Sequence, residues 1–160
     1  MWQKEKNNRT LNHMIIKHKT LSYQTKKELD FIDVTDEIKS FVKESGIKSG
    51  LVNIQIMHTS AALMLNENEP LLLEDIKNNL ESTAPKTNTY KHDDLNIRTI
   101  NVCVEECING HSHCKAIHLP VTITLNLIDG ELQLGQWQRV FLVELDHSRP
   151  RKVQIQIIGE

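Results

Sequence analysis

The chain has 160 residues, of which 39% are hydrophobic, 25% are charged and 4% are aromatic, and its net charge is −2. This size and composition are typical of one globular domain, and the near-neutral charge and few aromatic residues argue against nucleic-acid binding. No run approaches the roughly 18 apolar residues of a membrane span, and no signal-peptide core is visible, so we expect a cytoplasmic protein without a membrane partner.

The residue pattern in the first half of the chain predicts two strands, a helix and a further strand region. Residues 1–13 are polar and are expected to form a flexible extension before a single domain over 14–160. Thr35 is predicted to cap a helix that ends at Gly46. The other predicted elements are strands over 14–25 and 31–34, the helix over 36–45, and one long or two adjoining strands over 51–65.

The second half predicts one more helix and then mostly strands. Pro70 is expected in the first turn of the helix, and an irregular loop should follow over 82–96. Asp129-Gly130 is typical of a tight hairpin. Strands are predicted over 121–128, 131–134, 140–145 and 153–158. The order favours an α+β fold with a largely antiparallel sheet or sandwich and two to three helices.

The stretch from His58 to Glu67 places an imidazole, hydroxyls, an amide and a carboxylate around an apolar run. His58 continues the buried face of a predicted strand, so it is either a satisfied core histidine or the edge of a site. His58 and Glu67 are an odd number of residues apart and would point to opposite faces of a regular strand. They can share a site only if the backbone bends or if Glu67 reaches it from the strand's end.

Two further segments are rich in histidine. His92 is followed by two carboxylates, Asp93 and Asp94, which can orient an imidazole for proton transfer or metal binding. In the segment 109–118, His111 and His113 would point the same way in a strand and apart in a helix. Imidazoles with nearby carboxylates suit a divalent cation, with zinc favoured over magnesium.

Two smaller features complete the set of candidates. Cys103, Cys107 and Cys114 lack the Cys-x-x-Cys spacing of zinc or redox centres and are predicted to be reduced structural cysteines, although nearby histidines leave a metal role open. In Gly135-Gln-Trp-Gln138, packing explains the glycine and the indole but not Gln138. Its amide would be poised to hydrogen-bond a ligand in a cleft.

Taken together, these segments resemble the YjbQ family, often called the secondary thiamine-phosphate synthase family. The resemblance covers residues 14–160, and its motifs occur in order with compatible spacing. The matching pieces are His58-Thr-Ser-Ala-Ala-Leu, Asn66-Glu67-Asn68, Asp75, Tyr90-Lys-His92, His113, Asp129-Gly130 to Gln138, Glu144, Arg149, Arg151 and Gly159-Glu160.

The resemblance implies a compact α+β domain that forms a homotrimer with a polar cleft, and an enzyme acting on small phosphate substrates. Some members are credited with joining an aminopyrimidine diphosphate to a thiazole phosphate. A divalent ion, zinc or magnesium, would neutralise the departing diphosphate. The implied roles are metal ligation by His92, His113 and more weakly His111, catalysis by His58, Glu67 and Gln138, and substrate binding by Ser60, Asn66, Trp137, Arg149 and Arg151.

The chain also departs from the family pattern. Gln136 and Arg139 replace smaller residues around Trp-Gln, and His111, Cys114 and His118 are additional to His113. The alternative function is a non-catalytic trimeric protein that binds a metal or a small ligand.

Overall fold

The computed structural model describes residues 13–103 and 107–160 and contains eight strands and three α-helices in those ranges. Apart from residue 13, the predicted extension lies outside the described residues. The strands are β1 (Ile15–Gln24), β2 (Asp30–Asp33), β3 (Gly50–Ile56), β4 (Ala61–Glu67), β5 (Thr122–Ile128), β6 (Glu131–Leu132), β7 (Gln138–Glu144) and β8 (Pro150–Gly159), and the helices are α1 (Thr35–Ser45), α2 (Pro70–Thr83) and α3 (Gly110–Ala116).

The strands form two antiparallel sheets. A five-stranded sheet has the order β1-β8-β3-β5-β6, and a three-stranded sheet has the order β2-β7-β4. The predicted α+β class with antiparallel strands is therefore confirmed. The region 51–65 is two strands, because the chain leaves one sheet after β3 and enters the other at β4.

The three-stranded sheet is the middle layer of the molecule, so β4 and β7 are apolar on both faces. Leu63 of β4 and Leu142 of β7 face the five-stranded sheet in the main core. Their neighbours Met64 and Phe141 face the opposite way and pack with residues of α2 and α3. Side chains alternate across a strand, which is why one strand supplies both cores.

The ends of the helices follow from single residues. Gly46 ends α1 in the left-handed conformation with φ 72°, as predicted. The predicted cap at Thr35 was wrong, because Thr35 is the first helical residue and its hydroxyl accepts the N–H of Val140 at 2.8 Å. Pro70 opens α2 as predicted, while Glu69 caps it by accepting the N–H groups of Leu71 and Leu72.

None of the helices within the described ranges has the length and apolar character that crossing a membrane requires. A cytoplasmic location stays a prediction.

Candidate functional site

The predicted site residues fall into two groups at opposite ends of β4. His58 and Ser60 precede the strand and Glu67 ends it, and the rise of a strand over Ala61 to Glu67 separates these ends by about 20 Å. We call the first group the histidine end: His58, Ser60, His92, His113, Arg149 and Arg151. We call the second group the tryptophan end: Asn66, Glu67, Trp137 and Gln138.

The centre of the histidine end is a pair of imidazoles. The rings of His92 and His113 lie 4.6 Å apart between centroids and nearly perpendicular, at 65°. Burial, followed by the nearby His92, lowers the pKa of His113, although Asp146 and the backbone of Thr59 oppose this. His113 is therefore expected to be neutral at pH 7, with a nitrogen suited to accepting a proton or binding a cation.

The loop after α2 is fixed to the start of α3, and this brings the two rings together. His92 lies on a one-turn 3-10 helix, and the next residue, Asp93, accepts the N–H groups of Asn109 at 3.0 Å and Gly110 at 2.8 Å. A Cβ on Gly110 would lie 2.5 Å from Cβ of Tyr90, so only glycine allows this approach. The loop and the helix are thus joined on both sides of His92.

Sequence reasoning missed Asp146, a buried carboxylate at the same end. Its Oδ2 accepts the side-chain amide of Asn109 at 3.3 Å and also contacts Arg149, while Oδ1 lies 3.1 Å from His147. Burial alone would raise the pKa of Asp146, but hydrogen bonds from His147 and Asn109 and the charge of Arg149 hold it below its usual value. The carboxylate is thus ionised near the imidazole pair.

Unpartnered polar atoms concentrate at the histidine end. Within residues 13–103 and 107–160, four buried side-chain nitrogen or oxygen atoms make no hydrogen bond, and three of them are Nε2 of His92, Oδ1 of Asn109 and Nε of Arg149. Buried polar atoms are normally paired, because desolvating them without a partner costs free energy. Three such atoms in one region point to a binding site for a polar ligand or water.

Two residues expected to bind substrate, Ser60 and Arg151, belong to a buried hydrogen-bonded cluster around the Arg151–Glu144 ion pair. Arg151 donates from Nε to Glu144 at 2.7 Å and from its guanidinium to the hydroxyl of Ser60 at 3.1 Å. Thr25 also donates to Glu144, at 2.8 Å. Arg151, Glu144 and Ser60 are all buried. These groups hold the end of β7 against the start of β8, and their polar atoms face one another in the interior.

His58 lies at the edge of this ion pair. Its Nε2 accepts the backbone N–H of Lys152 at 3.1 Å, which requires that nitrogen to be unprotonated. Burial, with the charge of Arg151 next, lowers the pKa of His58, and Glu144 opposes the shift. Glu67 lies at the far end of β4, so one chain does not bring the expected acid-base pair together.

The tryptophan end is a shallow cleft of about 420 Å³ between the end of β4 and the start of β7. Glu67 and Gln138 are paired across the two strands. The Gln138 side-chain carbonyl accepts the N–H of Gly135 at 2.8 Å, and Trp137 is 64% exposed. Asn66 also lines this cleft. The four predicted residues of this end therefore do lie together.

Because α3 is a helix, His111 points away from His113. Its Nε2 lies 3.1 Å from Glu28 in a buried cluster. The same cluster holds Lys115, whose side chain is 0% exposed and whose Nζ lies 3.0 Å from Glu28 and 2.6 Å from Glu81. His111 is thus in a separate charged cluster, and the importance of Lys115 was missed, since a lysine in a short polar segment carries no sequence signal of burial.

Metal binding needs several donor side chains close together. Within residues 13–103 and 107–160, no group of three or more histidine, cysteine or acidic side chains lies close enough to hold an ion. The His92–His113 pair supplies imidazole nitrogens, which suit zinc better than magnesium. Cys103, Cys107 and Cys114 are exposed to solvent rather than packed in a core.

Comparison with known proteins gives a consistent result. The family model described as UPF0047 protein YjbQ-like matches residues 19–160. A UPF0047 protein of Methanothermobacter thermautotrophicus is 32% identical over 88% of this chain and 90% of its own length. The UPF0047 protein YjbQ of Salmonella typhimurium is 35% identical over 85% of this chain and 94% of its own length.

A solved structure also resembles the fold. A YbjQ-like protein of unknown function from Sulfolobus solfataricus P2 superposes with a TM-score of 0.82 at 31% identity, covering 92% of this chain and 100% of its own.

Proposed function

Because this chain belongs to the family described as UPF0047 protein YjbQ-like, we propose that it is a small-molecule enzyme resembling secondary thiamine-phosphate synthase. The proposed reaction joins an aminopyrimidine diphosphate to a thiazole phosphate, and the proposed reaction centre is the histidine end. The tryptophan end contributes the remaining contacts to substrate.

The observation that carries the proposal is the group of unpartnered buried atoms at the histidine end. Nε2 of His92, Oδ1 of Asn109 and Nε of Arg149 offer an imidazole, an acceptor and a cationic donor. A phosphate ester accepts a hydrogen bond from the guanidinium, and an aminopyrimidine donates to the amide oxygen. The imidazole nitrogen would bind a divalent ion that neutralises the phosphate. A phosphorylated heterocycle with its counter-ion therefore satisfies all three.

In the proposed reaction a thiazole nitrogen attacks the methylene carbon of the pyrimidine, and the bond to the diphosphate oxygen breaks. Negative charge builds up on the departing diphosphate. Arg149 is placed to stabilise that charge, and Asp146 holds the guanidinium in position. Burial keeps His113 neutral, as the ligand role proposed for it requires.

A divalent ion is part of the proposal as a partner of the imidazole pair. His92 and His113 would hold it, with phosphate oxygens or water as further ligands, and the ion would neutralise charge on the diphosphate. The orphaned Nε2 of His92 is the atom that supports this assignment.

The proposed assembly is a homotrimer in which the tryptophan end of one subunit meets the histidine end of the next. The separation of Glu67 from the imidazole pair within one chain supports an arrangement of this kind. A self-association surface is also available, because the outer face of the five-stranded sheet carries few charged side chains, and interface cores are depleted of charge. They include Thr20, Asn53, Gln55, Thr122, Thr124, Gln154 and Gln156.

The test is formation of thiamine phosphate from the two precursors, with complementation of a strain lacking thiamine-phosphate synthase. His92→Gln should abolish turnover with folding intact, whereas His118→Gln, at an exposed histidine away from the pair, should leave it unchanged. Metal analysis of untagged protein should show less metal in a His92→Ala/His113→Ala variant. Equal metal content would refute the ligand assignment, and no product from the wild-type protein would refute the reaction.

The alternative, a non-catalytic trimer that binds a metal or small ligand, is favoured by one observation. Nε2 of His58 is occupied by the backbone of Lys152, which removes a potential acid-base group. If the protein is a non-catalytic trimer, Glu67→Gln should leave every measurable property intact. If it is an enzyme, the same substitution should abolish turnover. Glu67→Gln therefore separates the two functions.

A further inference from the structure

Cys107 lies against an imidazole that the proposed reaction does not use. Its Sγ is 3.9 Å from Nε2 of His147, and the other ring nitrogen, Nδ1, is 3.1 Å from Oδ1 of Asp146. The thiol of Cys107, the imidazole of His147 and the carboxylate of Asp146 therefore form a chain of contacts. In such an arrangement the carboxylate orients the ring and stabilises its protonated form, so that the ring can take the thiol proton.

A positively charged group also lies against this ring. The guanidinium of Arg149 lies 2.8 and 2.9 Å from its two nitrogens. Reactive cysteines are typically found in partly exposed, electropositive surroundings. Cys107 and His147 are both exposed to solvent, so a reagent in solution reaches the sulfur.

We infer that Cys107 is a covalent modification site that exchanges with small disulfides. The Cys107 proton passes to Nε2 of His147, and the thiolate attacks one sulfur of the disulfide. A new S–S bond forms as the old one breaks, and the departing thiolate takes the proton from His147. The disulfide is itself the oxidant, so one mixed disulfide and one free thiol account for all atoms and electrons.

The modification bears on the proposed reaction centre, and this part of the inference rests on the proposed function. Cys107 lines a small cavity together with His92, Asp93 and Arg98. A group attached to Cys107 therefore stands beside the unpartnered imidazole and hinders the approach of a phosphate substrate. Exchange at this thiol makes the activity of the site dependent on the thiol–disulfide balance.

The test compares two exposed thiols in otherwise identical chains. Cys103→Ser/Cys114→Ser keeps Cys107. Cys103→Ser/Cys107→Ser keeps Cys114, which shows no hydrogen bond to an imidazole among the described residues. With 5,5′-dithiobis(2-nitrobenzoate) at pH 7, Cys107 should react about tenfold faster than Cys114. His147→Gln should remove that advantage, while His118→Gln should keep it. Thermal melts establish that the variants are folded.

The inference would be overturned if the two thiols reacted at equal rates. It would also be overturned if His147→Gln left the rate of Cys107 unchanged. The second readout is the ring resonance of His92, which should shift when Cys107 is modified and not when Cys114 is. If the His92 resonance shifts on modification of Cys114 instead, Cys107 does not lie beside His92. These measurements need no turnover, so an inactive protein would refute the proposed reaction while leaving the exchange chemistry to be judged separately.

Discussion

Replacing Lys115 by methionine tests whether the buried charge cluster holds α3 in place. Lys115 is 0% exposed, and its ammonium bridges the carboxylates of Glu28 and Glu81. Methionine fills a similar volume but leaves two carboxylates without this cation. Removing one partner of a buried ion pair costs about 3–5 kcal/mol.

The structure places this variant at the lower end of that range. Glu81 is 41% exposed and can turn to water, and Glu28 keeps Lys86 at 2.7 Å. We therefore expect the free energy of unfolding to fall by about 3 kcal/mol. With a slope of about 2 kcal/mol per molar urea, the midpoint of unfolding should fall by about 1.5 M.

The matched control is Lys86→Met, which removes a cation from the same Glu28. Lys86 is 61% exposed, and exposed ion pairs contribute about 0–1 kcal/mol. Urea unfolding followed by circular dichroism measures both variants. If Lys115→Met were no more destabilising than Lys86→Met, the buried cluster would not be what holds α3.

Further predictions concern the imidazole pair and the sheet. Gly110→Ala should push Tyr90 away from α3, since the new Cβ would lie 2.5 Å from the Tyr90 Cβ. Binding of a ligand or metal should fall by at least tenfold, with little loss of stability. Unchanged binding in calorimetry would show that the contact between Tyr90 and α3 does not position the site. Burial lowers the pKa of His113, so the unfolded chain binds more protons, and the free energy of unfolding should decline as the pH falls from about 6.5 towards the folded pKa. His113→Gln should flatten that decline in melts from pH 5 to 8, and an equally steep decline would count against it. Gly159→Ala should destabilise the chain by about 2 kcal/mol or more, because a Cβ there would lie 2.0 Å from the Ser49 carbonyl oxygen; a melting temperature equal to wild type would show that this approach is relaxed in solution.

Local patterns predicted most elements of the fold but could not assign strands to sheets. The alternation in β8 and the Asp129-Gly130 turn gave correct strands and a correct hairpin. The apolar run 51–65 stayed ambiguous because β4 is buried on both faces, which removes the two-residue period. Thr35 was misread as a cap because its real partner, Val140, lies in a strand far along the chain.

The candidate site shows the same limit. The resemblance implied that His92 and His113 bind a metal, which stays a prediction, and the structure places their ring centroids 4.6 Å apart. Asp146 was missed because it looked like part of a polar turn, and its partner Asn109 is 37 residues away. Arg151 was expected to meet substrate, since no local pattern reveals that Glu144 neutralises it in the interior. Long-range pairing decides which polar residues are free to act.

The position of β8 also affects how the chain folds during its synthesis. β8 is made after the other seven described strands, yet it pairs with β1 on one side and β3 on the other. At ribosomal rates of 5–20 residues per second, β1 waits on the order of ten seconds for its partner. Unpaired strand edges bind other chains during such a delay. The nascent chain is therefore expected to need a chaperone until β8 emerges, and a translational stall before that point should yield aggregates rather than a folded fragment.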